Sequence, residues 1–311
     1  MRLPDRRRIC KVEYINVANS QTNIQTVLPY ACMLGEGPVW DAEHKRILWL
    51  DITEGDIHQY AHEQDAHSVF NVGEMIGSIA LRERGGLVAG LQHGFAFIDP
   101  ENEKVDHIAD PEEGLSNRFN DGKCDAAGRF WAGTMAISEE ENKGNLYVLE
   151  TDLSVKRKIE NVSISNGIAW SADSSVMYYI NTPTNYVFAF DHHIEDATID
   201  NQRVVVDLTH ENGYADGMTI DEEGMLWVAY YGGWRVARYD PNNGKLLRQI
   251  ELPVANVTSC TFGGVDLTDL YITTAKKGLS EEELASQPLA GCLFVVKDCG
   301  CTGTTTQKFR G

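Results

Sequence analysis

Along most of the chain, apolar residues alternate with polar ones in short runs, and each run stops at Gly, Asn or Asp. That period belongs to strands bounded by turns, and sustained helical spacing is scarce. One arrangement recurs: a polar turn, a short apolar strand, a turn rich in Asp and Gly, then a second apolar-aromatic strand. It reads VWDAEHKRILWLDI (39 to 52), IALRERGGLVAGL (79 to 91) and KCDAAGRFWAGTM (123 to 135). It returns as IAWSADSSVMYYINT (168 to 182), MTIDEEGMLWVAYY (218 to 231) and CTFGGVDLTDLYITT (260 to 274). Aligning the second strands superimposes Trp49, Val88, Trp131, Tyr179, Trp227 and Tyr271, at intervals of 39, 43, 48, 48 and 44 residues.

A period in the forties, with about four short strands per unit, is the signature of propeller blades. Six units predict an all-β chain: a six-bladed β-propeller with a central channel, one domain over residues 1–311. Residues from about Val12 to Leu28 are then free to supply the outer strand of the last blade. Residues 1–11 form an N-terminal extension. The run SEEELA (280 to 285) reads as a helical insertion in a loop.

The repeat gives meaning to polar residues that look ordinary one at a time. Counting back from the second-strand residue, Glu36 lies 13 before Trp49 and Asn166 lies 13 before Tyr179. Asn120 lies 11 before Trp131, and Asp216 lies 11 before Trp227. Allowing for turn length, these are one place in four blades, just ahead of the strand that lines the channel. Any one of them could simply cap its turn. Four at one repeat position predict convergence on the axis. Two carboxylates and two amides make an all-oxygen ligand set that suits Ca²⁺, Mg²⁺ or Mn²⁺.

Composition narrows the setting. The formal net charge of −19, from 46 acidic and 27 basic residues, repels nucleic acid and anionic membrane surfaces, so neither is expected as a partner. No apolar run approaches bilayer length, and the basic start has no apolar stretch behind it, which predicts a cytoplasmic protein. The seven cysteines lack zinc-like spacing and read as reduced thiols. There is no GxSxG elbow, P-loop or HExxH motif. His58 and His62, four apart in a strand-like segment, are expected to point outward on one face.

LGEGPVWD, RFNDGKCDAAGRFWAGTM, SISNGIAWSAD, YADGMTIDEEGMLWVAYYGG and TSCTFGG, in that order, together resemble the senescence marker protein/regucalcin and gluconolactonase family. The resemblance runs from about Leu28 to the C-terminal region. It implies a propeller that opens a sugar lactone with one divalent cation in the channel. Ca²⁺ is foremost, with Zn²⁺, Mn²⁺, Mg²⁺ or Fe²⁺ as alternatives. Carried over motif by motif, it implies Glu36, Asn166 and Asp216 as metal ligands, and Arg118 and Asn120, with Asp121 beside them, as substrate-binding residues. Asp216 is then the residue to assist attack by water. A substrate contact is also expected from the loop AISEEENKGN, through Glu139 or Glu140. Two other readings use the same site: a calcium-binding regulatory propeller without catalysis, and a hydrolase of phosphotriesters or other esters.

Overall fold

The computed structural model describes residues 16–19 and 22–311. Residues 1–15, including the whole N-terminal extension and Cys10, lie outside the described residues. Six antiparallel sheets follow one another around a ring, and the chain is a six-bladed β-propeller. The innermost strands are Gly35–Asp41, Ile76–Leu81, Asn117–Cys124, Ser165–Trp170, Tyr214–Ile220 and Val257–Gly263, in blades one to six. Each blade except the last takes its four strands from consecutive sequence. In the last, Thr22–Leu28 pairs with Leu293–Val296, and Asn16–Asn19 adds outside it, so the two ends of the chain share one sheet.

Burial follows from this arrangement. Inner and second strands are covered on both faces and largely buried, whereas outer strands such as Lys245–Glu251 are mostly exposed to solvent. Each seam between neighbouring blades holds its own apolar cluster. Trp227, Val236 and Phe262 fill the seam between blades five and six. Trp40, Trp49 and Tyr271 fill the seam that closes the ring.

Strand pairing corrects the alignment drawn from aromatic residues. Trp131, Trp227, Val88 and Tyr271 face Lys123, Thr219, Ala80 and Thr261 across their hairpins. The residues in that column in blades one and four are Leu48 and Tyr178, opposite Val39 and Ala169. Trp49 and Tyr179 therefore stand one residue out of register with Trp131 and Trp227. The hairpins of blades one and four also turn one residue later: Asp41 pairs with Arg46, whereas the Asp125 amide bonds the Arg129 carbonyl. One extra turn residue and one register step together account for the difference between intervals of 13 and 11.

Counting three residues back from the column gives the same ring position in every blade: Glu36, Gly77, Asn120, Asn166, Asp216 and Thr258. The pairing register slips at this point in all six inner strands, between Glu36 and Val39, Ile76 and Ser78, Phe119 and Gly122, Asn166 and Ile168, Ala215 and Met218, and Val257 and Ser259. A bulge frees a residue from strict alternation and re-aims its side chain. Gly77 is the position without a side chain, since a Cβ there would meet the Phe119 carbonyl oxygen at 2.2 Å.

The far end of the channel is covered by the last residues of the chain. Gly303 bridges Asp221 of blade five, and Thr306 Oγ1 donates to the Trp40 carbonyl of blade one. Phe309 exchanges backbone hydrogen bonds with Leu81 and Glu83 of blade two, and the Arg310 amide donates to Gly128 of blade three. Between this tail and the level of Asp121 lies a cavity of about 300 Å³. The helix Glu281–Ser286 starts on a capping box between Ser280 and Glu283, so part of that acidic run caps a helix end. No helix among the described residues is long and apolar enough to cross a membrane. The six described cysteines are free thiols.

His58 and His62 do not share an outward face. His58 is fully buried and stacks on Trp49 at 4.9 Å between ring centroids. His62 lies beyond the strand in a 3-10 turn, its Nε2 within 2.8 Å of the Tyr271 hydroxyl. Outward strand geometry was outweighed by the apolar seam on which both rings pack.

Phe309 is fully buried in the seam between blades two and three. Phe309→Ala should lower stability by about 3–5 kcal/mol through lost burial and a cavity, and Phe309→Leu by much less. Urea denaturation of the two variants checks this.

Candidate active site

At the channel mouth the bulges gather Glu36, Asn120, Asn166 and Asp216, with Arg118 and Asp121 flanking Asn120 on the same strand. All six side chains belong to residues between 3% and 9% exposed. A chain of hydrogen bonds orients Arg118, Asn120 and Asn166 among them. Arg118 Nη1 donates to Asn120 Oδ1 at 2.7 Å and to the Phe119 carbonyl at 2.9 Å. Asn120 Nδ2 donates to the Ser165 carbonyl at 2.7 Å and to Asn166 Oδ1 at 2.9 Å. Asn166 Nδ2 donates to Thr182 Oγ1 at 2.6 Å, and that hydroxyl donates to the Ala215 carbonyl at 2.8 Å. Thr182 thus fixes which end of the Asn166 amide is left to face its neighbours.

The sixth ring residue turns away. Thr258 Oγ1 donates to the Gly35 carbonyl at 2.6 Å, which ties blade six to blade one. Asp121 accepts from the Gly122 amide and lines the lower cavity with Lys123, below the level of Arg118 and Asn120.

The electrostatics are dominated by burial of like charges. Burial, then the Asp121 carboxylate, push Glu36 up to about 8, against relief from the Gly37 amide and Arg118. Asp216 is raised well above the usual carboxylate range by burial and by Glu36 and Asp121. Asp121 is raised by burial and partly relieved by Lys123. Burial lowers Arg118 to about 10, while Glu36, Glu139 and Asp216 oppose the shift. Three buried carboxylates thus lie with the buried Arg118 and the half-buried Lys123.

Lys123 and Thr182 were not singled out from sequence. Lys123 is half-buried, and its Nζ donates to the Met218 carbonyl at 2.9 Å across the channel. Its signal was a lysine inside a strand covered on both faces, which folding permits only where a partner exists. Thr182 carried no signal, since it acts through Asn166 from a turn that pairing alone brings near. The loop after Phe130–Ala136 separates the two glutamates: Glu139 ion-pairs with Lys277 at 2.6 Å, whereas Glu140 pairs with Lys143 on the exposed side at 3.2 Å.

The donor set fits a hard cation. No three His, Cys, Asp or Glu side chains among the described residues gather closely enough to hold an ion alone. Glu36 and Asp216 with the Asn166 amide oxygen, however, form an oxygen set whose mutual repulsion a divalent ion relieves.

The family model described as the SMP-30/gluconolactonase/LRE-like region matches residues 34–276, from the first inner strand to the loop that carries Lys277. The chain belongs to this family. A protein named regucalcin from Danio rerio is 39% identical over 294 residues, covering 94% of this chain and 100% of that one. A solved luciferin-regenerating enzyme superposes with a TM-score of 0.88 at 31% identity, covering 93% of this chain and 100% of that one. A protein titled calcium-binding protein, regucalcin, from Agrobacterium tumefaciens also gives 0.88, at 25% identity, covering 92% and 97%. Family members thus share the whole fold, and their names span calcium binding and enzymes.

The raised carboxylates give the ion-free protein a pH dependence of definite sign. Below the ordinary histidine value of about 6.5 the lowered His58, His62 and His67 act in the opposite sense, so the carboxylates decide the sign between about 6.5 and the folded value of about 8 for Glu36, where they bind more protons in the folded state than in the unfolded state. Stability should therefore fall as pH rises through that window, and most of the fall should vanish when saturating Ca²⁺ is present. Thermal unfolding from pH 6.5 to 8.5, with chelator and with Ca²⁺, checks it. A chelated protein that gains stability as pH rises would contradict the placement of Glu36 and Asp216.

Proposed function

We propose that this chain is a hydrolase of sugar-acid lactones that depends on a divalent cation held by Glu36, Asn166 and Asp216. The observation that carries the reading is Arg118. A calcium-binding scaffold has no use for a buried guanidinium beside its ligands. A site that must grip the ring and hydroxyl oxygens of a substrate does. The family description names gluconolactonase alongside SMP-30 and so supports a lactonase-type activity.

When bound, the cation supplies Lewis-acid polarisation of the ester carbonyl and lowers the pKa of water. The hard oxygen donors favour Ca²⁺, with Mn²⁺, Mg²⁺, Zn²⁺ and Fe²⁺ to be compared. The chain's own residues do the rest. Arg118 and Asn120, locked to each other, hold substrate oxygens at the mouth and supply orientation. Asp216 accepts a proton from the attacking water as the new C–O bond forms. The ring C–O bond then breaks, and the departing alkoxide takes up a proton to leave the open hydroxy acid. Burial keeps bulk water from competing for these hydrogen bonds. Glu139, not Glu140, is the glutamate of the blade-three loop placed to meet the substrate, because its field reaches Arg118 and Tyr231. Asp121 with Lys123 belongs to the floor of the site.

Two variants test the reading. Arg118→Ala should keep the ion and the fold and lose hydrolysis of D-glucono-1,5-lactone by about 100-fold or more. Asp216→Ala removes a ligand and the proton acceptor together, so ion affinity and turnover should fall together. Calorimetric ion binding and steady-state rates decide both. A lactone and phosphotriester panel, run on chelated protein with single metals restored, separates the alternatives. Faster turnover of a phosphotriester would favour the broader ester hydrolase. No turnover by ion-loaded protein would favour the calcium-binding propeller.

A further inference from the structure

The ion pair between Glu139 and Lys277 joins residues 138 apart in sequence. Glu139 follows the second strand of blade three, and Lys277 follows the second strand of blade six. In a ring of six these blades stand opposite each other, so the pair crosses the channel mouth above Arg118 and Asp216.

Both ends are built to hold this reach. The Lys277 amide donates to the Met33 carbonyl at 2.8 Å. Its carbonyl accepts from the Tyr231 hydroxyl, and from Asn256 Nδ2 at 2.8 Å. Three separate segments thus pin the backbone of a residue whose side chain is 41% exposed. At the other end Glu139 has φ of 61°, a left-handed conformation unusual for a side chain of this kind. An ordinary surface pair has no such backing.

We propose that Lys277 is a positioning residue that holds the Glu139 carboxylate over the site, where it selects lactones bearing hydroxyl groups. This rests on the lactonase reading given above. Unsupported, the exposed loop would let Glu139 swing into solvent. Held across the mouth, its second oxygen is free to accept a hydroxyl hydrogen bond from a polyhydroxylated ring. An unsubstituted lactone offers no such donor and gains nothing from the contact.

The test compares D-glucono-1,5-lactone with δ-valerolactone on ion-loaded wild type, Lys277→Met, Lys277→Arg, Glu139→Gln and the double variant Glu139→Gln/Lys277→Met. Lys277→Met should raise KM for the hydroxylated lactone about three- to fivefold, with kcat nearly unchanged and δ-valerolactone unaffected. Lys277→Arg should restore it, and the double variant should be no worse than Glu139→Gln alone. Equal losses on both lactones, additive effects or an unchanged KM would overturn the proposal. Hydrogen exchange of residues 137–143 supplies a readout independent of turnover: Lys277→Met should speed it and Lys277→Arg should not. If wild type hydrolyses neither lactone, the lactonase reading falls and so does hydroxyl selection. Exchange then decides the positioning role alone, and unchanged exchange overturns that as well.

Discussion

Closure of the ring is the constraint on which everything else rests. An open row of blades would leave an edge strand at each end and apolar seams facing water. Pairing Thr22–Leu28 with Leu293–Val296 removes that exposure by making the last blade from both ends of the chain. Thr258 of blade six reaches the Gly35 carbonyl of blade one at the mouth, and the C-terminal tail stitches blades five, one, two and three at the far end. With the ring closed, six inner strands must share one axis. Whatever their bulges present is then brought within a few ångströms.

That convergence has an electrostatic cost, and the cost explains the site. Glu36, Asp121 and Asp216 are buried together: Asp121 raises Glu36, both raise Asp216, and Arg118, Lys123 and nearby amides offset them only in part. A fold selected only for stability would fill these positions with neutral side chains, as Gly77 and Thr258 show is possible in the same ring. The hydrogen bonds that join Asn120, Asn166 and Thr182 fix the amides beside these carboxylates. A cavity of fixed, repelling oxygens is suited to a cation, and a guanidinium placed beside it is suited to a substrate.

Particular residues mark how far the sequence could be read. The repeat and its period were legible because each blade buries the same short strands against its neighbours. The register was legible only to within one residue. Trp49 and Tyr179 attract the eye as counterparts of Trp131 and Trp227, but hairpins one residue longer carry them past the column. His58 was misread because strand alternation says which residues share a face, not which faces lie in a seam. Lys123 left a trace as a charge in a strand covered on both faces, and Thr182 left none.

The sequence by itself determined the blade count, the strand and turn chemistry, and the recurrence of oxygen-bearing residues at one repeat position. These depend on local periodicity and short-range turn preference, which are written in adjacent residues. Tertiary structure alone decided that the chain's two ends share a blade, and that bulges turn the ring residues toward the axis. It also separated Glu139 from its neighbour Glu140 through a lysine on the opposite side of the ring. Those outcomes arise from contacts between segments far apart in sequence, whose meeting is set by closure of the ring rather than by any local preference.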